Sequence, residues 1–308
     1  MMTLVSVCMI TYNHQEFIQE AIEGVLCQVT DFNVELIVVD DCSTDDTYKE
    51  MANAMQENKG GVNLKIFQQD NNIGIIPNFF SALNKCNGEY IALCDGDDFW
   101  IDEHKLQKQF DFLNDNPDYS ICYHNVDVLV NGKREDDVYT DNTQQTTTID
   151  DLVKGNYIHT PSVMLKKNWS ELPDWMLWCG TGDFPLLMFS AQFGKIKKLN
   201  EVMAVYRVHN TNNWRNLNYE HRTYKRALSL ASMIGNFSSE INNVLRRDFL
   251  KISEFALEQA INNRDVNSFK IILGKKLSLE PERVMFMFNN KNIKIKSMFS
   301  KIVKRIVS

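Results

Sequence analysis

The chain has 308 residues, room for one large domain or a domain with an appendage. Hydrophobic residues at 44% and charged residues at 24% exclude a wholly disordered chain, and 13 Gly with 6 Pro exclude collagen-like or Pro-rich architecture. With 33 Lys and Arg against 40 Asp and Glu, the formal charge of −7 argues against a nucleic-acid partner, since phosphate contacts draw on surplus cations. The opening MMTLVSVCMITYNH has no basic segment before its apolar run, so it does not read as a signal peptide. No stretch reaches the roughly 18 apolar residues of a membrane span. The seven cysteines (Cys8, Cys27, Cys42, Cys86, Cys94, Cys122 and Cys179) form no C-x-x-C, which predicts reduced thiols and a cytoplasmic location.

The first half alternates strand and helix. VSVCMITYN (5–13) is a continuous apolar run, as in a strand buried on both faces. Phe17, Ala21 and Val25, with Ile18, Ile22 and Leu26, then form one helical stripe, and Asn13 with Glu16 resembles a capping box at its start. VELIVVD (34–40) is the second buried strand. Ser43 with Asp46 is a second capping signal, and Tyr48, Met51 and Met55 are expected on the inner face of the next helix. VNLKIFQ (62–68) predicts a third strand, Pro77 the first turn of a helix that Gly88 ends, and EYIALCD (89–95) a fourth strand. A helix with Leu106, Phe110 and Leu113 stops before Pro117. This rhythm predicts an α/β fold with a mostly parallel central sheet and helices on both faces, whose ligands sit at the carboxyl ends of the strands.

Farther along, 119–130, 161–167 and 195–209 read as strands, and the polar stretch 131–148 as a loop or hairpin. Residues 217–308 are expected to be a helical extension to a first domain over 1–216. From 283 to 308 the chain carries seven Lys and Arg and no acid, interleaved with Met, Phe and Ile. That pattern suits an amphipathic helix on an anionic membrane surface, or a helix packed on the body with a solvated basic face.

The second strand ends in Asp40-Asp41 and the fourth in Asp95-Gly96-Asp97-Asp98. Both clusters fall on the same sheet edge, where their carboxylates repel one another unless a cation sits among them. A divalent metal with a bound diphosphate meets that need, because Mg2+ and Mn2+ favour carboxylate oxygens with substrate phosphate. Strand-end aspartates also cap helices, the plainer reading for Asp45 and Asp46.

VSVCMITYNHQEFIQEAIEGVLCQ, ELIVVDDCSTDDT and NNIGIIPNFFSALNKCNGEYIALCDGDDFW, in that order, resemble the inverting glycosyltransferases of family 2 with the GT-A fold. Weaker matches follow at TGDFPLLM (181–188) and VYRVHNTNNW (205–214). The resemblance implies transfer of a sugar from a nucleotide diphosphate, usually a UDP-sugar, to an acceptor hydroxyl of a surface glycan, with Mn2+ or Mg2+ as cofactor. It puts Thr11, Tyr12 and Asn13 against the nucleotide, with Tyr12 on the uracil face. Asp41, with Asp40 beside it, would accept from the uracil N3–H. Asp95 and Gly96 would lie against the ribose side of the donor, Asp97 and Asp98 would hold the metal, and His209 would be a third metal contact. Asn78 stands where the family often has a nucleotide-holding Arg. The general base would be Asp183, with Gly182 in place of the first acid of the family's pair; an N-cap role for Asp183 is compatible. His124 and His159 are lesser candidates for donor or acceptor contacts.

A dinucleotide-binding enzyme would need G-x-G-x-x-G after the first strand, and TYNHQEF has no glycine. A P-loop is absent too. A sugar nucleotidyltransferase would carry a Gly-rich basic loop near the first strand, and a nucleotide-sugar-binding module without turnover would not need Asp97, Asp183 and His209 together. A lipid-linked acceptor would account for the basic tail and a peripheral place on the cytoplasmic face of the membrane.

Overall fold

The computed structural model describes residues 4–58, 61–130, 132–137, 144–209, 217–282 and 284. The chain divides into two compact units, Met1–Leu172 with Gly182–Asn212, and Pro173–Thr181 with Asn213–Ser308.

The first unit runs β1 (Leu4–Thr11), α1 (Ile18–Leu26), β2 (Asn33–Asp40), α2 (Thr47–Glu57), β3 (Val62–Gln68), α3 (Ile75–Leu83), β4 (Tyr90–Leu93), β5 (Phe99–Trp100), α4 (Lys105–Asp115) and β6 (Tyr119–Val130). It continues through β7 (Lys133–Asp136), β8 (Thr146–Thr147), α5 (Ile149–Leu152), β9 (Met164–Lys166), α6 (Asp183–Ser190) and β10 (Lys195–Val208). The sheet order is β3-β2-β1-β4-β9-β6-β10-β5. β1 pairs in parallel with β2, from Leu4 opposite Asn33 to Thr11 opposite Asp40, and with β4, so the ends of all three meet at one edge. β9 runs antiparallel between β4 and β6, and β10 lies parallel to β6. The polar stretch after β6 does return as a hairpin strand, β7; residues 138–143 lie outside the described ones.

Side-chain alternation explains the core. Val5, Val7 and Met9 of β1 and Val34, Leu36 and Val38 of β2 pack with Ile18, Ala21, Ile22 and Val25 of α1, Met51 and Ala54 of α2, and Leu106 and Leu113 of α4. The buried stripe of α2 is Met51 and Ala54; Tyr48 and Met55, expected inside, are 44% and 47% exposed. Neither expected capping box forms. The carbonyl of His14 accepts from the N–H groups of Phe17 and Ile18 (2.9 and 2.9 Å) and starts α1, while Asn13 and Ser43 bond across the two loops.

The second unit holds α7 (Tyr219–Met233), α8 (Ser239–Asn262) and α9 (Val266–Leu279), capped by Asn218, Ser238 and Asp265. It takes in Pro173–Thr181, which the sequence reading left in the first domain. Met176 is buried, Trp175 meets Phe237 with ring centroids 5.9 Å apart, and the Gly180 N–H donates to Ser229 Oγ at 3.0 Å. Among the described residues no helix is long and apolar enough to cross a membrane. The basic tail, apart from buried Val284, lies outside the described residues. All seven cysteines are free thiols.

Candidate active site

The ends of β1 and β2 are knitted together by side chains. Asn13 sits in the left-handed region (φ 55°), which asparagine tolerates; its N–H donates to Ser43 Oγ (2.9 Å) and its Oδ1 accepts from the Thr44 N–H (2.9 Å). Asp40 is fully buried and accepts from the Ser43 N–H (3.0 Å), Gln68 Nε2 (2.9 Å) and the Ser43 hydroxyl. Asp41 accepts from the N–H groups of Ile73 (2.8 Å) and Gly74 (2.9 Å). Asn78 donates to the Val39 carbonyl (3.1 Å) and accepts from Gln69 (3.0 Å). Asp40 and Asn78, expected on the nucleotide, are thus turned into the protein and brace the loops. Thr11 presents a buried hydroxyl without a partner among the described residues, and Tyr12 is 38% exposed.

The end of β4 differs. A Cβ on Gly96 would lie 2.8 Å from Thr11 Oγ1 and 2.9 Å from Ile18 Cδ1, so glycine alone lets the acidic turn close on β1. Ligand atoms of Asp95, Asp97 and Asp98 lie within 4.8 Å of one another, as do those of His14, Asp97 and His209. Asp97 Oδ2 is 3.0 Å from His209 Nε2 and 3.8 Å from His14 Nε2. The long strand β10 delivers both His209 and Arg207. The Arg207 N–H donates to Asp98 Oδ1 (2.8 Å), its Nε to the Asp97 carbonyl (2.8 Å) and its Nη2 to Glu20 (2.6 Å). Its guanidinium lies over the rings of Phe17 (4.8 Å) and Phe99 (4.7 Å).

Burial, and then the charge of Asp97, pushes the Asp98 carboxyl well above the ordinary range; the same forces, with Asp183 added, raise Asp95. Asp97 goes the other way. Burial would raise it, but the hydrogen bond from His209 and the charge of His14 outweigh that and hold it low. Burial lowers His14, against the pull of Asp97. Asp97 is common to two sets of ligand atoms, Asp95 with Asp98 and His14 with His209, each set within 4.8 Å. Carboxylate oxygens and imidazole nitrogens so placed fit a divalent cation.

Asp183 is the first residue of α6, and its Oδ2 accepts from Asn156 Nδ2 at 3.2 Å. Burial raises its carboxyl, opposed by first-turn backbone N–H groups, His159 and Asn156. A Cβ on Gly182 would stand 2.7 Å from the Phe79 ring, so an aromatic wall fills the place of the acid expected there. His159 Nε2 is 3.0 Å from Asp137 Oδ2, whereas His124 is wholly buried against the Asn125 carbonyl (2.7 Å) and belongs to the core.

The family described as Glycosyl transferase family 2 matches residues 6–168, more than half of the chain. The chain belongs to this family. Its fold is GT-A: the first 349 residues of TarS from S. aureus, in complex with UDP-GlcNAc, align with TM-score 0.61 and 18% identity over 92% of this chain and 83% of that one. The mannosyltransferase PcManGT from Pyrobaculum calidifontis, in complex with GDP-Man and Mn2+, aligns with TM-score 0.59 and 14% identity over 100% of this chain and 81% of that one. Among curated relatives, Rv1520 of Mycobacterium tuberculosis is 32% identical over 71% of this chain, which spans 63% of that relative's length. WfaP of Escherichia coli, a UDP-Glc:α-D-GlcNAc-diphosphoundecaprenol β-1,3-glucosyltransferase, is 32% identical over 42% of this chain and 51% of its own.

Three residues of this cluster escaped the sequence reading: His14, Arg207 and Asn156. His14 directly follows TYN at the ligand edge and Arg207 sits in YRVH, so both were within quoted motifs; Asn156 has no local signal, because it reaches Asp183 from 27 residues away.

Proposed function

We propose that the chain is an inverting glycosyltransferase. It moves a sugar from a UDP-class nucleotide donor to a hydroxyl of a growing, lipid-linked surface glycan, with Mn2+ or Mg2+ as cofactor. Donor and acceptor classes are supported by the UDP-GlcNAc bound to TarS and by the diphosphoundecaprenol substrate in the name of WfaP. The observation that carries the reading is the cluster at the end of β4: ligand atoms of His14, Asp97 and His209 lie within 4.8 Å of one another, at the sheet edge where β1 and β2 also end.

In this reading Asp97 and His209 hold the cation, and Arg207 positions Asp97 and Asp98 through its bonds to both. The cation, when bound, supplies positive charge that offsets the charge of the departing diphosphate. Asp183, oriented by Asn156, takes the proton from the acceptor hydroxyl as that oxygen bonds to the anomeric carbon. The bond from the anomeric carbon to the diphosphate oxygen breaks on the opposite face, releasing the nucleoside diphosphate and inverting the centre. Thr11 and Tyr12 border the nucleotide, with the Tyr12 ring on the base, and Asp41 meets the base edge with the lone pairs its backbone bonds leave over. The basic tail, 283–308, docks on the anionic cytoplasmic membrane surface.

The test is equilibrium binding of UDP-, GDP- and dTDP-sugars to the full chain with and without Mn2+, followed by donor turnover. Metal-dependent binding of UDP-sugars with turnover is the expected result. Binding without turnover by the intact protein indicates an inactive binding module and overturns the reading.

A further inference from the structure

We infer that His14 is a third ligand of the cation held by Asp97 and His209, and that this second imidazole makes the site select Mn2+ and the later first-row divalent metals over Mg2+. The inference rests on the reading of Asp97 as the metal carboxylate.

The backbone fixes His14 from both sides. Its N–H donates to Thr47 Oγ1 at 2.8 Å, and its carbonyl accepts the first two N–H groups of α1. The left-handed turn at Asn13 sets this direction at the end of β1. The side chain is 10% exposed, yet neither of its ring nitrogens makes a hydrogen bond among the described residues: Nδ1 is buried without a partner, and Nε2 stops 3.8 Å from Asp97 Oδ2. A buried imidazole of this kind normally donates from one nitrogen and accepts at the other. The same carboxylate oxygen takes His209 Nε2 at 3.0 Å, so two Nε2 atoms on different strands' loops aim at one point. The rings stand nearly perpendicular (89°), with centroids 5.9 Å apart, and Phe17 packs on both. Ligands at about 2.1 Å from an ion and at right angles lie about 3 Å apart, a spacing that His209 and Asp97 have at 3.0 Å and that His14 approaches at 3.8 Å.

Asp98 is poorer as that third ligand. It is 1% exposed, and its Oδ1 is taken by the Arg207 N–H. The set becomes two imidazoles and one carboxylate. Mg2+ prefers oxygen and keeps its waters, whereas imidazole binds Mn2+, Co2+ and Zn2+ in rising order.

The test reads the metal directly. Pulsed electron paramagnetic resonance of Mn2+ with UDP in the unaltered protein should show two coupled imidazole nitrogens, and His14→Ala should leave one. Calorimetric titration should show the preference for Mn2+ over Mg2+ falling about tenfold or more in His14→Ala, with His14→Gln behaving alike. A single imidazole in the unaltered protein, or an unchanged preference in both variants, overturns the His14 inference and leaves Asp97 with His209 standing. Absence of Mn2+ binding in the unaltered protein overturns both.

Discussion

At the end of β2, Asp40 and Asp41 give their oxygens to five donors from neighbouring loops and the end of β3, whereas at the end of β4 ligand atoms of Asp95, Asp97 and Asp98 lie within 4.8 Å of one another. The two acidic strand ends look alike in sequence and share one sheet edge. What separates them is the supply of hydrogen-bond donors. The β2 end sits among such donors, and Asp40 is taken up in bracing the loops. The β4 end, closed onto β1 by Gly96, has Arg207 and two imidazoles as its main company, and it keeps an unmet demand for positive charge.

One substitution, Asp→Asn, applied at both ends sharpens this contrast. The largest effect is expected at Asp97, where Asn removes the charged ligand: turnover of a UDP-sugar should fall by about 10³-fold or more. Asp183→Asn should cost about 10²- to 10⁴-fold in transfer rate with donor affinity nearly unchanged, because the variant keeps the contact with Asn156 but cannot take a proton. The acid limb of the rate profile belongs to the same group. Burial raises the Asp183 carboxyl, so transfer should decline as pH falls through a value above that of an ordinary aspartate, near about 4, and the Asn variant should lose that limb. At Asp40 the effect moves from activity to stability. An amide nitrogen faces donors that a carboxylate satisfied, and urea unfolding should show a loss of about 1–3 kcal/mol. Asp98→Asn should be the mildest in the metal-free protein, under about 1 kcal/mol. Its carboxyl is already pushed toward the neutral form, and the amide oxygen still accepts from Arg207. Equal stability losses at Asp40 and Asp98 would break the contrast.

Much of this was legible in the sequence. The short, β-branched apolar runs that became β1, β2 and β4 read as strands buried on both faces, and the parallel register that follows puts Asp40 and Asp95 at one edge. The long strands β6 and β10 fall within the stretches 119–130 and 195–209 read as strands. What was not legible is how each aspartate is satisfied. Asn13, Ser43 and Asp40 are short polar residues whose local pattern mimics helix caps, but their partners lie in other loops, as Asn13 and Ser43 show at a separation of 30 residues. Asn78 reads as a nucleotide contact of α3 until its bond to the Val39 carbonyl is seen. His14 is hidden for the same reason: its partner Asp97 comes from a strand end that only the sheet brings near.

The central claim is that the β4 end, and not the β2 end, holds the cation and through it the nucleotide. Calorimetric titration of UDP in the presence of Mn2+ into the unaltered protein, Asp97→Asn and Asp40→Asn, each shown to be folded by circular dichroism at the titration temperature, tests it most directly. Affinity should fall by about 10- to 100-fold in Asp97→Asn and stay within about twofold in Asp40→Asn. The reverse pattern, with binding kept at Asp97→Asn and lost at Asp40→Asn, would contradict the account.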